Sequence, residues 1–220
     1  MSGQTAAAAA ATAVAAVCTV IAVRRAIAPS PRRPAFVAWA LGFALFTIAS
    51  AALWLGAANG WTDGPFRVYY LTGGVLVVAY LAVGELLLVL PGRTVTRLAA
   101  ATMLFLTFAA VAAVLAARVD GGDLARAGAT PPNDALEGPW PKAMAIALNS
   151  AGTLVLLVGS IASARRRRDP RPLLVAAGVA VIAAASTATR AGSYAAFALG
   201  QAAGVTLILL GLVTRRLGPR

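Results

Sequence analysis

Glu85 is the one carboxylate set inside an apolar stretch of this 220-residue chain. An ionisable group in hydrocarbon is costly, so such a residue marks either a site that handles protons or cations or a structural ion pair. It lies six residues before Pro91, about 9 Å along a helix from the stretch's end. That leaves the interface, Arg24, Arg93 and Arg97 within reach, and makes Glu85 the candidate proton-coupling residue. At the other end of the same stretch Arg67, Tyr69, Tyr70 and Thr72 cluster, and Arg190 sits between two apolar runs just before Tyr194. Aromatic rings with polar tips favour the membrane boundary for their own sake, as Trp61 and Trp140 do. The sharper reading is an outer pocket in which Arg67 and Arg190 attract an anionic group, with Tyr70, Tyr194, Ser186, Thr187 and Thr189 as hydrogen-bonding partners. Arg190 itself needs a counter-ion, for which Asp63, Asp134 and Glu137 are the candidates. A third set, Asn149, Thr153, Ser160 and Ser163, is spaced by 4, 7 and 3 residues. That spacing keeps it on one helix face, as interhelical hydrogen bonding requires.

What is missing narrows the chemistry. The chain has no histidine and one cysteine, Cys18, so zinc, haem and iron–sulfur centres have no ligand set and no cofactor is expected. No Ser-His-Asp or Cys-His pair can be assembled. No glycine-rich loop precedes a lysine for nucleotide phosphate, and no pair of membrane aspartates exists. The residues read as non-enzymatic.

Positioning these groups falls to hydrophobic helices. Apolar residues make up 60% of the chain and charged residues 12%, half of what soluble domains carry, and mean hydropathy is +0.82. Crossing about 30 Å of hydrocarbon takes roughly 20 helical residues, and seven such spans are predicted: 6–23, 35–56, 68–90, 97–117, 143–163, 172–190 and 194–214. The expected fold is all-α, a single domain over 1–220 formed by a bundle of seven transmembrane helices. The connections with Arg24, Arg25, Arg32, Arg33, Arg93, Arg97, Arg165 to Arg168, Arg171, Arg215, Arg216 and Arg220 hold 14 of the 19 Lys and Arg and fall on one side. The positive-inside bias makes that side cytoplasmic, with the N-terminus outside and the C-terminus inside. A charge of +12 confined to such loops points to anionic lipid headgroups at the arginine clusters rather than to nucleic acid; a membrane-protein partner is also open. Met1 to Gln4 has no basic residue, so the first apolar run reads as a span and not a cleaved signal. Arginine-rich, lysine-poor usage suggests a bacterial plasma membrane.

All 12 prolines fall in connections or at span ends, so the helices should be largely straight, and only glycines such as Gly42, Gly73, Gly74, Gly84 and Gly159 offer places for irregularity. In the last span Ala196, Gly200, Gly204 and Gly211 form a small-residue ridge for close packing.

The Arg24-Arg25 and Pro31-Arg32-Arg33-Pro34 pattern between the first two spans repeats as Arg165 to Arg168 and Pro170-Arg171-Pro172 between the fifth and sixth. This 3+1+3 layout resembles the topology of the sugar-exporting SWEET family, which implies a transporter built from parallel repeats; that family has prolines within its repeat helices and this chain has none. The seven-span count is shared by rhodopsins, but the last span has no lysine for a retinal Schiff base. The stretch Phe66-Arg67-Val68-Tyr69-Tyr70-Leu71-Thr72-Gly73 and the layout resemble uncharacterised small seven-helix membrane proteins of actinobacteria, a likeness that implies no activity. Two functions are therefore open: a non-enzymatic bundle binding a lipid, small ligand or membrane partner, or a small permease with Glu85 coupling movement to protons.

Overall fold

The computed structural model describes residues 3–128, 131–132, 135–190 and 194–214, of which 3–4, 167, 187–190 and 195 are described by backbone alone. Helices form where the apolar runs lie: α1 (Gly3–Ile27), α2 (Arg33–Asn59), α3 (Asp63–Tyr69), a π-helical segment (Tyr70–Leu76), α4 (Val77–Val89), α5 (Arg93–Ala116), α6 (Gly121–Arg126), α7 (Pro139–Arg167), α8 (Leu173–Arg190) and α9 (Tyr194–Thr214). The third to fifth of these elements form one rod, Asp63–Val89. Extended pairing among the described residues is limited to an isolated bridge between Val119 and Leu136. Helices satisfy their own backbone polar groups, which is what hydrocarbon demands. Prolines mark the starts of α2 and α7, where a missing N–H costs nothing.

Six helical rods are long and apolar enough to cross a membrane; the described apolar part of α8, Leu173–Ser186, is shorter. The chain is thus a helical membrane bundle.

Six rods form a closed ring in the order α1, α2, α3–α4, α7, α8, α9, with α9 returning to α1, and α5 stands outside against the π-helical segment, α4 and α7. The first helix packs through small residues: Ala8, Ala11, Ala15, Cys18, Ala22 and Ala26 are buried at intervals of three and four, a narrow stripe that lets neighbouring backbones approach. On α8 and α9 the approach is closer still. A Cβ added to Gly178 would sit 2.5 Å from the Gly204 carbonyl, and one on Gly211 would sit 2.8 Å from Val175. The small-residue ridge of the last span therefore packs on α8.

Arginines also tie the ring shut. Arg25 of α1 donates to the Val213 carbonyl at 3.2 Å and Arg171 to that of Thr214 at 3.0 Å. Both satisfy acceptors left open at the C-terminus of α9, where the helix dipole favours a cation.

The connection between α5 and α7 does more than its length suggests. Leu124, Ala135 and Leu136 are buried together with Trp61, Phe66, Tyr194 and Phe197, so this segment folds across the end of the bundle opposite the arginine-rich loops. Trp61 goes with it. The sequence placed that ring in the boundary belt, whereas it is 5% exposed and lies over Gly56, where a Cβ would be 2.6 Å from the indole.

Candidate functional site

Inside the ring the six rods enclose a cavity of about 360 Å³, within the ~300–1,000 Å³ range of small-molecule sites. Its position follows from the sequence order of its lining. Tyr69, Asn149, Ser186 and Gln201 lie towards the end remote from the arginine clusters, Ser50 and Thr153 further in, and Leu81, Leu156 and Ile208 near mid-helix. Among the described residues around it no side chain is charged. The space is therefore amphipathic but neutral, with hydrogen-bonding groups at one end and aliphatic walls at the other.

The π-helical segment lines this cavity through Gly73 and Gly74. Wider winding of this kind is rare and recurs at functional sites. The helices were expected to be largely straight with Gly73 and Gly74 among the places open to irregularity, and the wider winding falls at those adjacent glycines, where no Cβ fixes the packing. Gly73 lies against Ala49 of α2. On the cavity wall Asn149 donates through Nδ2 to the Gly74 carbonyl at 2.6 Å, which holds α7 to the irregular turn. Thr72 donates to the Val68 carbonyl at 2.6 Å. Gln201 donates to Ser186 Oγ at 3.4 Å.

The remaining residues singled out by sequence are distributed as follows. Arg67 is engaged away from the cavity. Its Nε pairs with Asp63 at 2.6 Å, and its Nη1 donates to the carbonyls of Val114, Leu115 and Ala117. It thus caps the end of α5, a helix terminus that lacks basic residues of its own. Tyr70 packs on Phe66 with ring centres 6.1 Å apart, and Tyr194 is 1% exposed beside Phe197. The Tyr194 hydroxyl has no hydrogen-bond partner among the described residues. The side chains of Arg190, Thr187 and Thr189, and the whole of Asp134, lie outside the described residues, so the pairing expected of Arg190 does too. Thr153 lines the cavity, whereas Ser160 and Ser163 are buried further along α7.

Glu85 is fully buried within the bundle. It is one turn beyond Leu81 of the cavity wall and packs against Gly159 of α7, where an added Cβ would lie 2.7 Å from its Cγ. Beside it Gly84 lies against the Trp39 indole, where an added Cβ would be 2.6 Å from Nε1, leaving no space for a side chain.

Of the polar cavity residues, Tyr69 was expected in the outer cluster but with Tyr70 as the pocket residue, and Gln201 and Ser50 were not expected to line a pocket. Only the helical spacing of Tyr69, Gly73 and Val77 could have signalled the first. No family profile, curated protein or solved structure matches this chain.

Proposed function

We propose that this protein is a seven-crossing, non-enzymatic bundle of a bacterial plasma membrane that holds a small uncharged molecule in its central cavity. Its N-terminus faces outward and its arginine-rich end inward. The observation that carries this reading is the lining: six rods converge on one space whose hydrogen-bonding groups are all neutral, with Tyr69, Asn149, Ser186 and Gln201 gathered at one end and Ser50 and Thr153 further in. A charged molecule entering there would lose its hydration with no counter-ion to replace it. A neutral molecule with a carbonyl, amide or hydroxyl at one end and an aliphatic or aromatic body keeps its hydrogen bonds and gains apolar contact. Arg67 supports the same conclusion, since its donors are committed to Asp63 and to the end of α5.

Native mass spectrometry of the protein in nanodiscs, followed by identification of what co-purifies, tests this. A neutral compound retained by the natural protein and lost from Thr153→Phe, which projects a ring into the middle of the cavity, is the expected result. Retention of an anion, or equal retention by the Thr153→Phe variant, overturns it.

A permease is the second reading, favoured by the π-helical turn beside the cavity and by Glu85 one turn beyond its wall. Transporters place irregular backbone where substrate binds. In proteoliposomes the compound identified above would then move, and Glu85→Gln would abolish proton-driven uptake; uptake unchanged by that substitution rejects the coupling role.

A further inference from the structure

A second concavity lies on the outside of the ring, where α5 stands apart from α2 and α4. The groove between these three helices has a volume of about 460 Å³ and walls formed by Val37, Leu41, Val83, Ala100 and Leu104. Eight residues separate Arg33 at one end from Leu41, about 12 Å of rise, so the groove runs from the arginine-rich boundary nearly to mid-bilayer.

Its mouth is strongly positive. Arg33 lines it directly. On α5 the lining residues Thr96, Ala100 and Met103 form one face, and three residues before Thr96 that face ends in Arg93. Both α2 and α5 begin at this end, and neither has an acidic residue in its first turn, so two helix N-termini outweigh the one C-terminus, that of α4 at Val89, in the partial charge at the mouth. Arg33 and Arg93 are exposed, and neither enters an ion pair among the described residues. The adjoining face of α5 is apolar and outward-facing, with Leu104, Phe105 and Phe108 60–71% exposed, as expected of a helix bathed in lipid.

We infer that this groove is a binding site for an anionic glycerophospholipid of the leaflet on the arginine-rich side. One acyl chain lies between α2, α4 and α5, and the phosphate sits at Arg33 and Arg93. The charge at the mouth selects the headgroup, and the length of the apolar wall selects a chain rather than a soluble anion. The site is independent of the central cavity and stands whether or not that cavity holds a ligand.

Native mass spectrometry of the full chain released from nanodiscs of phosphatidylcholine mixed with phosphatidylglycerol reads this directly. One phosphatidylglycerol should be retained in preference to phosphatidylcholine. Arg33→Gln with Arg93→Gln should reduce that retention on the order of twentyfold, each arginine near an anionic surface counting for roughly fivefold. Ala100→Phe, an exposed position on α5, should have the same effect without removing charge, because it blocks the chain. Arg165→Gln with Arg166→Gln, equal in charge but remote from the groove, should leave retention unchanged. The inference is overturned if the two double variants behave alike, if Ala100→Phe still retains the lipid, or if Ala100→Phe instead converts a dimer to a monomer, which would make the groove a seat for a second copy.

Discussion

At the arginine-rich end Trp39 lies against Gly84, Val175 against Gly211 and Glu85 against Gly159, and at none of these places is there space for an added methyl. At the opposite end the same rods part around about 360 Å³ and one of them winds as a π-helix. The close-packed end relies on glycines meeting side chains and fixes the spacing of the helices. The other end has close glycine contacts too, Gly56 with Trp61 and Gly200 with Ala185, but there they border open space, and side-chain hydrogen bonds such as Asn149 to Gly74 and a loop folded across Trp61 and Tyr194 complete the packing. One end can therefore stay rigid while the other adapts to an occupant, because packed interfaces resist volume change far more strongly than polar contacts resist small shifts.

Substitutions at each end should separate them. Gly84→Leu drives a side chain into the Trp39 ring and should destabilise the bundle by about 3 kcal/mol, seen as a fall of about 10 °C in the melting temperature in detergent. Asn149→Leu removes the hydrogen bond to Gly74 and should cost about 1 kcal/mol. Its signature would be a Gly74 carbonyl infrared shift in labelled protein, together with loss of the co-purifying compound. Arg67→Gln uncaps α5 and should cost about 1 kcal/mol; exchange of the Ala117 amide, which bonds to Ala113, should then quicken about fivefold. Gly74→Ala should be the mildest, within about 0.5 kcal/mol, because its Cβ meets only the Tyr70 ring at 3.8 Å. If Gly74→Ala proves as damaging as Gly84→Leu, the contrast between the two ends is wrong.

The helices themselves were legible because solvent writes hydropathy directly into composition. The run expected at 35–56 is realised as Arg33–Asn59 and the one at 194–214 as Tyr194–Thr214. The inward face of α7 was legible too, since straight helical spacing joins Asn149 to Thr153. The cavity face of the third rod was harder to read. Tyr69 and Tyr70 are adjacent in one polar cluster, and only the four-residue spacing from Tyr69 through Gly73 and Val77 to Leu81 shows that Tyr69 rather than Tyr70 reaches the cavity. The engagement of Arg67 was hidden for another reason. Its acceptors are backbone carbonyls 47 to 50 residues away, and a carbonyl has no letter in the sequence. The burial of Trp61 depended likewise on where a polar connection with a few apolar residues, Leu124, Ala135 and Leu136, would fold.

The circular order of the rods has a consequence for biogenesis. Because α9 is wedged between α1 and α8, α1, which is made well before α9, must wait for it before its alanine stripe is fully covered. Until then the half-built barrel is open on one flank, and the latches from Arg25 and Arg171 to the end of α9 can engage only once α9 has arrived. A chain halted before Tyr194 would leave the bilayer with a gaping crescent, the form that membrane quality-control proteases would be expected to remove first.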